Sequence, residues 1–201
     1  MTLSAWIIFA SFWAVFVTTP GPNAVNCINV AMTYGFKTSL VCVAGIFTQA
    51  SLFLGLSAAG LTALMATSET TVLIVKWFGA AFLVFLGLRG WIMATRPIKS
   101  HPPSKNSLYL RAVAIATINP KSIAGYFAAF TQFVQPDRPV SQQMWVIAPT
   151  ALMLTTLSYS GYCAVGAFLG RAALGAILHL WVRRGLALCF VIYGVLLGIL
   201  A

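Results

Sequence analysis

The residues with the clearest chemical potential in this sequence are Asn119, Pro120 and Lys121, which lie together in an apolar run. Asparagine is a favoured helix N-cap and proline suits the first helical position, so the trio predicts a helix that begins inside a membrane span. A lysine beside the positive end of a helix needs an anionic partner. Glu69 and Asp137, the two acidic residues of the chain, fall at loops, which makes a substrate carboxylate the natural anion.

Two plainer interpretations of Lys121 stay open. Its ammonium could reach the membrane surface along the extended side chain, or it could bind a backbone carbonyl that a nearby proline has freed. Either contact would satisfy the charge without a substrate. An ionisable residue inside the membrane is nevertheless costly, and by default it indicates function.

A second helix-breaking cluster, Pro20-Gly21-Pro22-Asn23, interrupts the first apolar run. Proline lacks a backbone donor and clashes with the carbonyl four residues back, so the cluster predicts an opened helix. Backbone groups freed at membrane depth must be satisfied by protein or by a wet cavity. A simple proline kink packed against neighbouring helices is the structural alternative.

Two such clusters in apolar spans, one in each half of the chain, form the pattern expected of a transporter's binding site. We predict that Asn23 and Asn119 bond the backbone groups of a substrate and that Lys121 binds its carboxylate. Gln49 is a polar residue near the centre of the second apolar stretch, where it either lines the path or bonds another helix. The predicted helix breaks and hinges are Pro20, Gly21, Pro22 and Pro120.

The elements that position these residues are predicted to be membrane helices. The composition indicates an all-α integral membrane protein. Of the 201 residues, 60% are hydrophobic and 7% are charged, and the mean hydropathy is +0.93, so polar side chains are too few to cover a soluble protein. Each apolar stretch can cross a bilayer core of about 30 Å as a helix. The first has no basic segment before it and no cleavage pattern behind it, which predicts a retained span. The six predicted spans cover residues 3–32, 38–66, 71–95, 108–135, 142–170 and 180–201.

The net charge of +10 lies in alternate loops and not on one amphipathic face, which argues against nucleic-acid binding. Basic residues bracket the breaks after spans one, three and five, whereas the breaks after spans two and four hold little positive charge. The positive-inside rule therefore predicts that loops one, three and five are cytoplasmic. Both termini are then expected on the outer side.

The chain is predicted to be one transporter domain, 1–201, built from two repeats. Residues 96–107 form the predicted cytoplasmic linker, with three spans before it in 1–95 and three after it in 108–201. Because three is odd, the second half must enter the membrane from the opposite side to the first. The two halves are therefore expected to form an inverted repeat, with spans one and four broken.

Other polar residues in the spans have more than one interpretation. Lys76 either reaches the outer interface or contributes to the path, and Tyr159 with its polar neighbours faces a cavity or another helix. His179 is either an interfacial anchor or a proton relay. We expect no cofactor and no metal. The cysteines lack the spacing of a metal site and are predicted to be packing residues: Cys27, Cys42, Cys163 and Cys189.

Several motifs, in their order along nearly the whole chain, resemble the LysE/RhtB family of amino-acid exporters. They are Pro20-Gly21-Pro22-Asn23, Gly60-Leu61, the run from Lys76 to Leu83 with Leu86-Gly87, Asn119-Pro120-Lys121, and Gln132-Phe133-Val134. The resemblance implies efflux of amino acids or close derivatives across a bacterial inner membrane, driven by an ion gradient, with six spans. In such a membrane, the outer side predicted for both termini by the basic loops is the periplasm. This sequence departs from the family pattern at Ser39, Gln49, Phe82 and Thr131.

The resulting prediction is a secondary transporter that exports amino acids by alternating access, coupled to a proton or sodium gradient. Neutral substrates are favoured, because the spans offer no carboxylate for a second ammonium group. The expected partners are the substrate and membrane lipid, and the sequence allows a homo-oligomer. The competing interpretations are a membrane enzyme or assembly factor, although paired carboxylates and activated nucleophiles are not visible, and a small-solute channel, although no repeated polar ring suggests a filter.

Overall fold

The computed structural model describes residues 2–65, 69–96, 107–135, 138–170, 172, 174–175 and 178–200. Asp137 and all but the two ends of the predicted linker 96–107 lie outside these residues. The described helices are α1 (Leu3–Thr18), α2 (Pro22–Met65), α3 (Glu69–Met93), α4 (Leu108–Ile118), α5 (Pro120–Phe133), α6 (Val140–Leu169) and α7 (Leu180–Leu200).

The predicted all-α membrane protein is confirmed. Among the described residues, four stretches are long and apolar enough to cross a bilayer, whereas α1 and α4 are shorter apolar helices. The shorter helices result from the breaks that the sequence predicted. One predicted span contains α1 and the start of α2, and another contains α4 and α5. The four long stretches are Pro22–Gly60, Leu73–Met93, Val140–Leu169 and Leu180–Ile199.

The two breaks have nearly the same backbone geometry. Thr19 ends α1 with φ −66° and ψ 121°, and Asn119 separates α4 from α5 with φ −66° and ψ 112°. Both residues are extended, and in each case a proline begins the helix that follows. The helix axis is thus interrupted at the predicted positions in both halves of the chain.

Helix α2 changes direction at Gly35. Its φ of 80° and ψ of 171° are non-helical and fall in a region that is open almost only to glycine. Residues 22–34 therefore complete the first predicted span, and the part of α2 after Gly35 forms the second. Glycine is the residue type expected at such a bend.

Side chains pack into two buried clusters, one on each side of the breaks. The larger cluster is aromatic and joins α1 to α5, with Trp13 in contact with Phe16 and Tyr126. The second cluster joins the start of α2 to α4 and α6, and includes three cysteines as the sequence predicted: Cys27, Cys42 and Cys163. Large apolar side chains such as Ile92, Trp145 and Phe168 point outward, as expected of a lipid-facing surface.

Candidate functional site

The two helix breaks meet through Lys121. Its ammonium donates a hydrogen bond of 2.6 Å to the backbone carbonyl of Thr19, at the end of α1. Gly21 lies against the same side chain, since a Cβ atom placed on Gly21 would be 3.8 Å from Cδ of Lys121. Residues 102 positions apart in the sequence are thereby joined in one place.

Local hydrogen bonds explain why the chain takes this shape. The side-chain oxygen of Asn119 accepts a bond of 3.1 Å from the backbone N–H of Lys121, which is the N-cap that the sequence predicted. At the end of α1, the hydroxyl of Thr19 donates to the carbonyl of Val15 over 2.6 Å. The carbonyl of Thr18 accepts a bond from the hydroxyl of Tyr162, so α6 also supports the broken end of α1.

Two contacts of the Lys121 ammonium suit a positive charge. The carbonyl end of a helix carries partial negative charge, and the Thr19 carbonyl belongs to the end of α1. The ring of Phe16 lies 5.1 Å from the ammonium nitrogen, which adds a cation–π contact. The sequence left several interpretations of Lys121 open. The structure shows the one in which its ammonium binds a freed backbone carbonyl. In this conformation the lysine is satisfied without an anion.

All four residues predicted to bind substrate line one central cavity. Asn23 comes from α2 just after the first break, Gln49 from the second part of α2, and Asn119 and Lys121 from the second break. The cavity has a volume of about 10 Å³, which is room for roughly one water molecule. The breaks thus enclose a small polar pocket.

Two polar atoms in this pocket lack a hydrogen-bond partner among the described residues. They are the side-chain oxygen of Asn23 and the side-chain nitrogen of Gln49, whose residues are only 4% and 2% exposed. A buried polar group without a partner costs about 1–3 kcal/mol. Since one atom accepts and the other donates, the pocket offers both kinds of bond to a ligand.

Sequence reasoning missed much of the wall of the central cavity. Ser122 and Tyr126 line it one helical turn apart on α5, a spacing that the sequence contained. Thr155 on α6 also lines it, and its hydroxyl accepts a bond of 3.1 Å from the indole nitrogen of Trp13. The sequence left two interpretations of Tyr159 open, a cavity or a contact with another helix. In the structure this residue lines the central cavity.

The other candidate residues lie elsewhere or have structural contacts. Pro20 lines a neighbouring cavity, Pro22 is exposed, and the side chain of Pro120 falls outside the described part of the chain. Lys76 is half-buried and is not among the residues of the central cavity; its backbone carbonyl accepts a bond of 2.5 Å from Gln132. His179 is exposed beside α7. Within the described residues, no group of three His, Cys, Asp or Glu side chains could hold a metal ion.

Comparison with known proteins identifies the family. The sequence matches the LysE type translocator family over residues 14–200. The chain belongs to this family. As a translocator it is a multi-pass membrane transporter and not an enzyme, which confirms the sequence prediction and removes the enzyme alternative.

Individual relatives cover most of the chain. An uncharacterized membrane protein of Vibrio cholerae is 34% identical over 174 residues, which is 85% of each chain. The homoserine/homoserine lactone efflux proteins of Salmonella typhimurium and Salmonella typhi are each 28% identical over 169 residues, 82% of each chain. No solved structure matches this chain significantly.

Proposed function

We propose that this translocator exports small neutral amino acids or close derivatives, and that the central cavity is its binding site. One observation carries the proposal: Asn23, Gln49, Asn119 and Lys121, from both helix breaks and the intervening helix, line one buried pocket. A pocket formed by broken helices at membrane depth is the usual substrate site of a secondary transporter.

The polar groups of the pocket match the polar groups of a small amino acid. The unpartnered oxygen of Asn23 can accept from the substrate's ammonium, whereas the side-chain nitrogen of Gln49 can donate to an oxygen atom. The Lys121 ammonium can bind the carboxylate once it leaves Thr19, with Asn119 beside it at the start of α5. The substrate would thus lie between the two breaks.

The contracted volume of the pocket favours a carrier that works by alternating access. With space for about one water molecule, the pocket must widen before an amino acid can bind. Widening separates the two breaks and therefore breaks the bond between Lys121 and Thr19. A substrate carboxylate that replaces this carbonyl would compensate the lysine in the open state, so binding and opening would be coupled.

The chemistry of the pocket favours neutral substrates. No carboxylate is among the residues that line the central cavity, so a second ammonium group on a lysine-like substrate would be buried without a partner. Two relatives are named as efflux proteins for homoserine and homoserine lactone. Homoserine carries a neutral hydroxyl side chain, for which Gln49 is a suitable partner.

We further propose the six-span inverted repeat, with spans one and four broken. The matching backbone geometry of Thr19 and Asn119 supports equivalent breaks. The packing pattern supports the repeat, because α2 contacts α4 while its counterpart α6 contacts α1, and the counterparts α3 and α7 contact each other. The repeats would be 1–95 and 108–201.

The orientation and energy source are part of the same proposal. Alternating basic loops support an inner-membrane protein with both termini in the periplasm. Export against a concentration difference requires coupling, and a proton or sodium gradient is the expected source. The freed carbonyls at the breaks are groups to which a cation could bind.

The test is export from a host that is sensitive to amino acids. Expression of the protein should raise resistance to homoserine and other small neutral amino acids, and labelled homoserine should leave loaded cells faster. Imposed proton and sodium gradients in proteoliposomes then identify the coupling ion. If the protein exports lysine and arginine but does not export neutral amino acids, the proposed substrate class is contradicted.

A further inference from the structure

A second cavity beside the central one carries a concentration of positive charge. It has a volume of about 140 Å³ and lies between the end of α1, the later part of α3 and the first turns of α5 and α7. Arg89, Lys121 and Arg183 line it, and no acidic residue is among its lining residues. We call this space the basic vestibule.

The three cations of the basic vestibule differ in their partners. Lys121 is bonded to the Thr19 carbonyl. Arg183 donates to the carbonyls of Met93 and Arg96 over 2.8 Å and 2.7 Å, which fixes the start of α7 to the end of α3. Arg89 is exposed, and its guanidinium has no hydrogen bond or ion pair with any described residue. It is therefore the charge available to a ligand.

The basic vestibule adjoins the central cavity through a shared residue. Lys121 lines both spaces, so its side chain forms part of the wall between them. Arg89 and Arg183 lie toward the basic ends of α3 and α7, which the proposed orientation places on the cytoplasmic side. An anion arriving from the cytoplasm would meet Arg89 before it reached Lys121.

We propose that the basic vestibule captures the carboxylate of the substrate on the cytoplasmic side, with Arg89 as the capturing residue. Arginine binds carboxylates through two parallel N–H groups, and a charged partner in a partly enclosed space strengthens that contact. The captured carboxylate then passes to Lys121 when the wall opens. This inference rests on the proposed export of amino acids, and it adds a first binding step to that transport.

The positive field of the vestibule can be measured without any transport. In protein whose native cysteines are replaced by alanine or serine, Met93→Cys places a thiol in the vestibule wall, and Thr95→Cys places an exposed thiol nearby. The ratio of reaction rates with anionic and cationic methanethiosulfonates should be about tenfold higher at position 93. Arg89→Gln should lower that ratio, whereas the matched change Arg96→Gln should not. Equal ratios at the two thiols would overturn the proposal.

Protection of the Met93→Cys thiol identifies the source of the anion. In vesicles of zwitterionic lipid, millimolar homoserine should slow the labelling. An anionic lipid headgroup offers a phosphate with similar chemistry, so the experiment is repeated with added phosphatidylglycerol and no amino acid. Slowing by phosphatidylglycerol alone would make the vestibule a lipid site and overturn the substrate assignment.

Transport kinetics separate this inference from the proposed function. Arg89→Gln should raise the KM for cytoplasmic homoserine about tenfold, the typical effect of losing one charged hydrogen bond, with little change in kcat. Arg96→Gln should leave both unchanged. An unaltered KM in Arg89→Gln, with wild-type transport intact, would reject the capture step alone. Absence of amino-acid transport by the wild type would reject the proposed function and with it the capture of a substrate.

Discussion

The ammonium of Lys121 donates a 2.6 Å hydrogen bond to the carbonyl of Thr19, and this bond joins the two helix breaks of the protein. A cation at the start of one half-helix is thereby satisfied by the carbonyl end of another. The contact explains how a lysine can be tolerated inside the membrane without an acidic residue. It also places the lysine where a substrate carboxylate could take over from the carbonyl.

Replacing Lys121 with methionine should weaken substrate binding strongly while leaving the protein folded. Methionine keeps much of the volume, but it lacks the ammonium that lies over the Phe16 ring and that could bind a carboxylate. Loss of a hydrogen bond to a charged group predicts roughly a 10- to 100-fold weaker affinity for homoserine. Equilibrium binding to purified protein measures this change, with thermal unfolding to verify the fold.

The control for this substitution is Lys76→Met. Lys76 is also a half-buried lysine in a span, but it is not among the residues of the central cavity. Homoserine affinity should remain within about twofold of the wild type, as for a group that makes no contact with the ligand. Equal losses in both variants would show that the effect is not specific to the central cavity.

Substitution of Gln49 by methionine should raise stability and lower transport together. The side-chain nitrogen of Gln49 is buried without a partner among the described residues, and methionine removes that group at similar size. The unfolding free energy should rise by about 1 kcal/mol. Transport of homoserine should fall because the donor is lost. Ser51→Ala is the neighbouring control, since its hydroxyl bonds only the carbonyl of Phe47 among described residues.

The two helix breaks could be predicted from the sequence because they depend on local backbone chemistry. Clustered prolines and an N-cap asparagine favour a helix end through local backbone chemistry, so the ends at Thr18 and Ile118 could be predicted. The bend at Gly35 was predictable for the same reason. Among the described residues, the six predicted spans correspond to four long apolar stretches and shorter helices, because the local breaks divide two of those spans.

The partner of Lys121 could not be predicted in the same way. Its bond to Thr19 depends on how α5 packs against α1, and the sequence left that contact as one of several alternatives. The same holds for Tyr126 and Thr155, which reach the central cavity only through tertiary packing. The bonds of Arg183 to the end of α3 likewise depend on tertiary packing.

Replacing Gly21 with alanine should slow transport with little effect on stability. Positive φ angles among the described glycines occur at Gly35 and Gly170, so Gly21 has an ordinary conformation here. An added Cβ would meet Lys121 only at normal contact distance. If Gly21 is a hinge, other conformations of the transporter need its backbone freedom. Alanine at this position should therefore lower kcat severalfold. Gly55→Ala, in open space on α2, is the control and should transport normally.

Replacing Gly125 with alanine should destabilise the protein. A Cβ atom there would lie 2.0 Å from the ring of Phe16, which also contacts the Lys121 ammonium. Such overpacking costs roughly 1–3 kcal/mol. Gly161→Ala is the matched control, because nothing lies within 4 Å of its Cβ position and alanine favours the helix. Thermal unfolding in detergent should separate the two variants, and equal stability would show that Phe16 can move aside freely.

The most direct test of the central claim is homoserine counterflow in proteoliposomes. Vesicles preloaded with unlabelled homoserine should take up labelled homoserine faster than empty vesicles, because a carrier returns with its site occupied. Lys121→Met should abolish this acceleration, and Lys76→Met should retain it. Uptake that is indifferent to internal homoserine would indicate a channel, and acceleration that survives Lys121→Met would remove this lysine from the binding site.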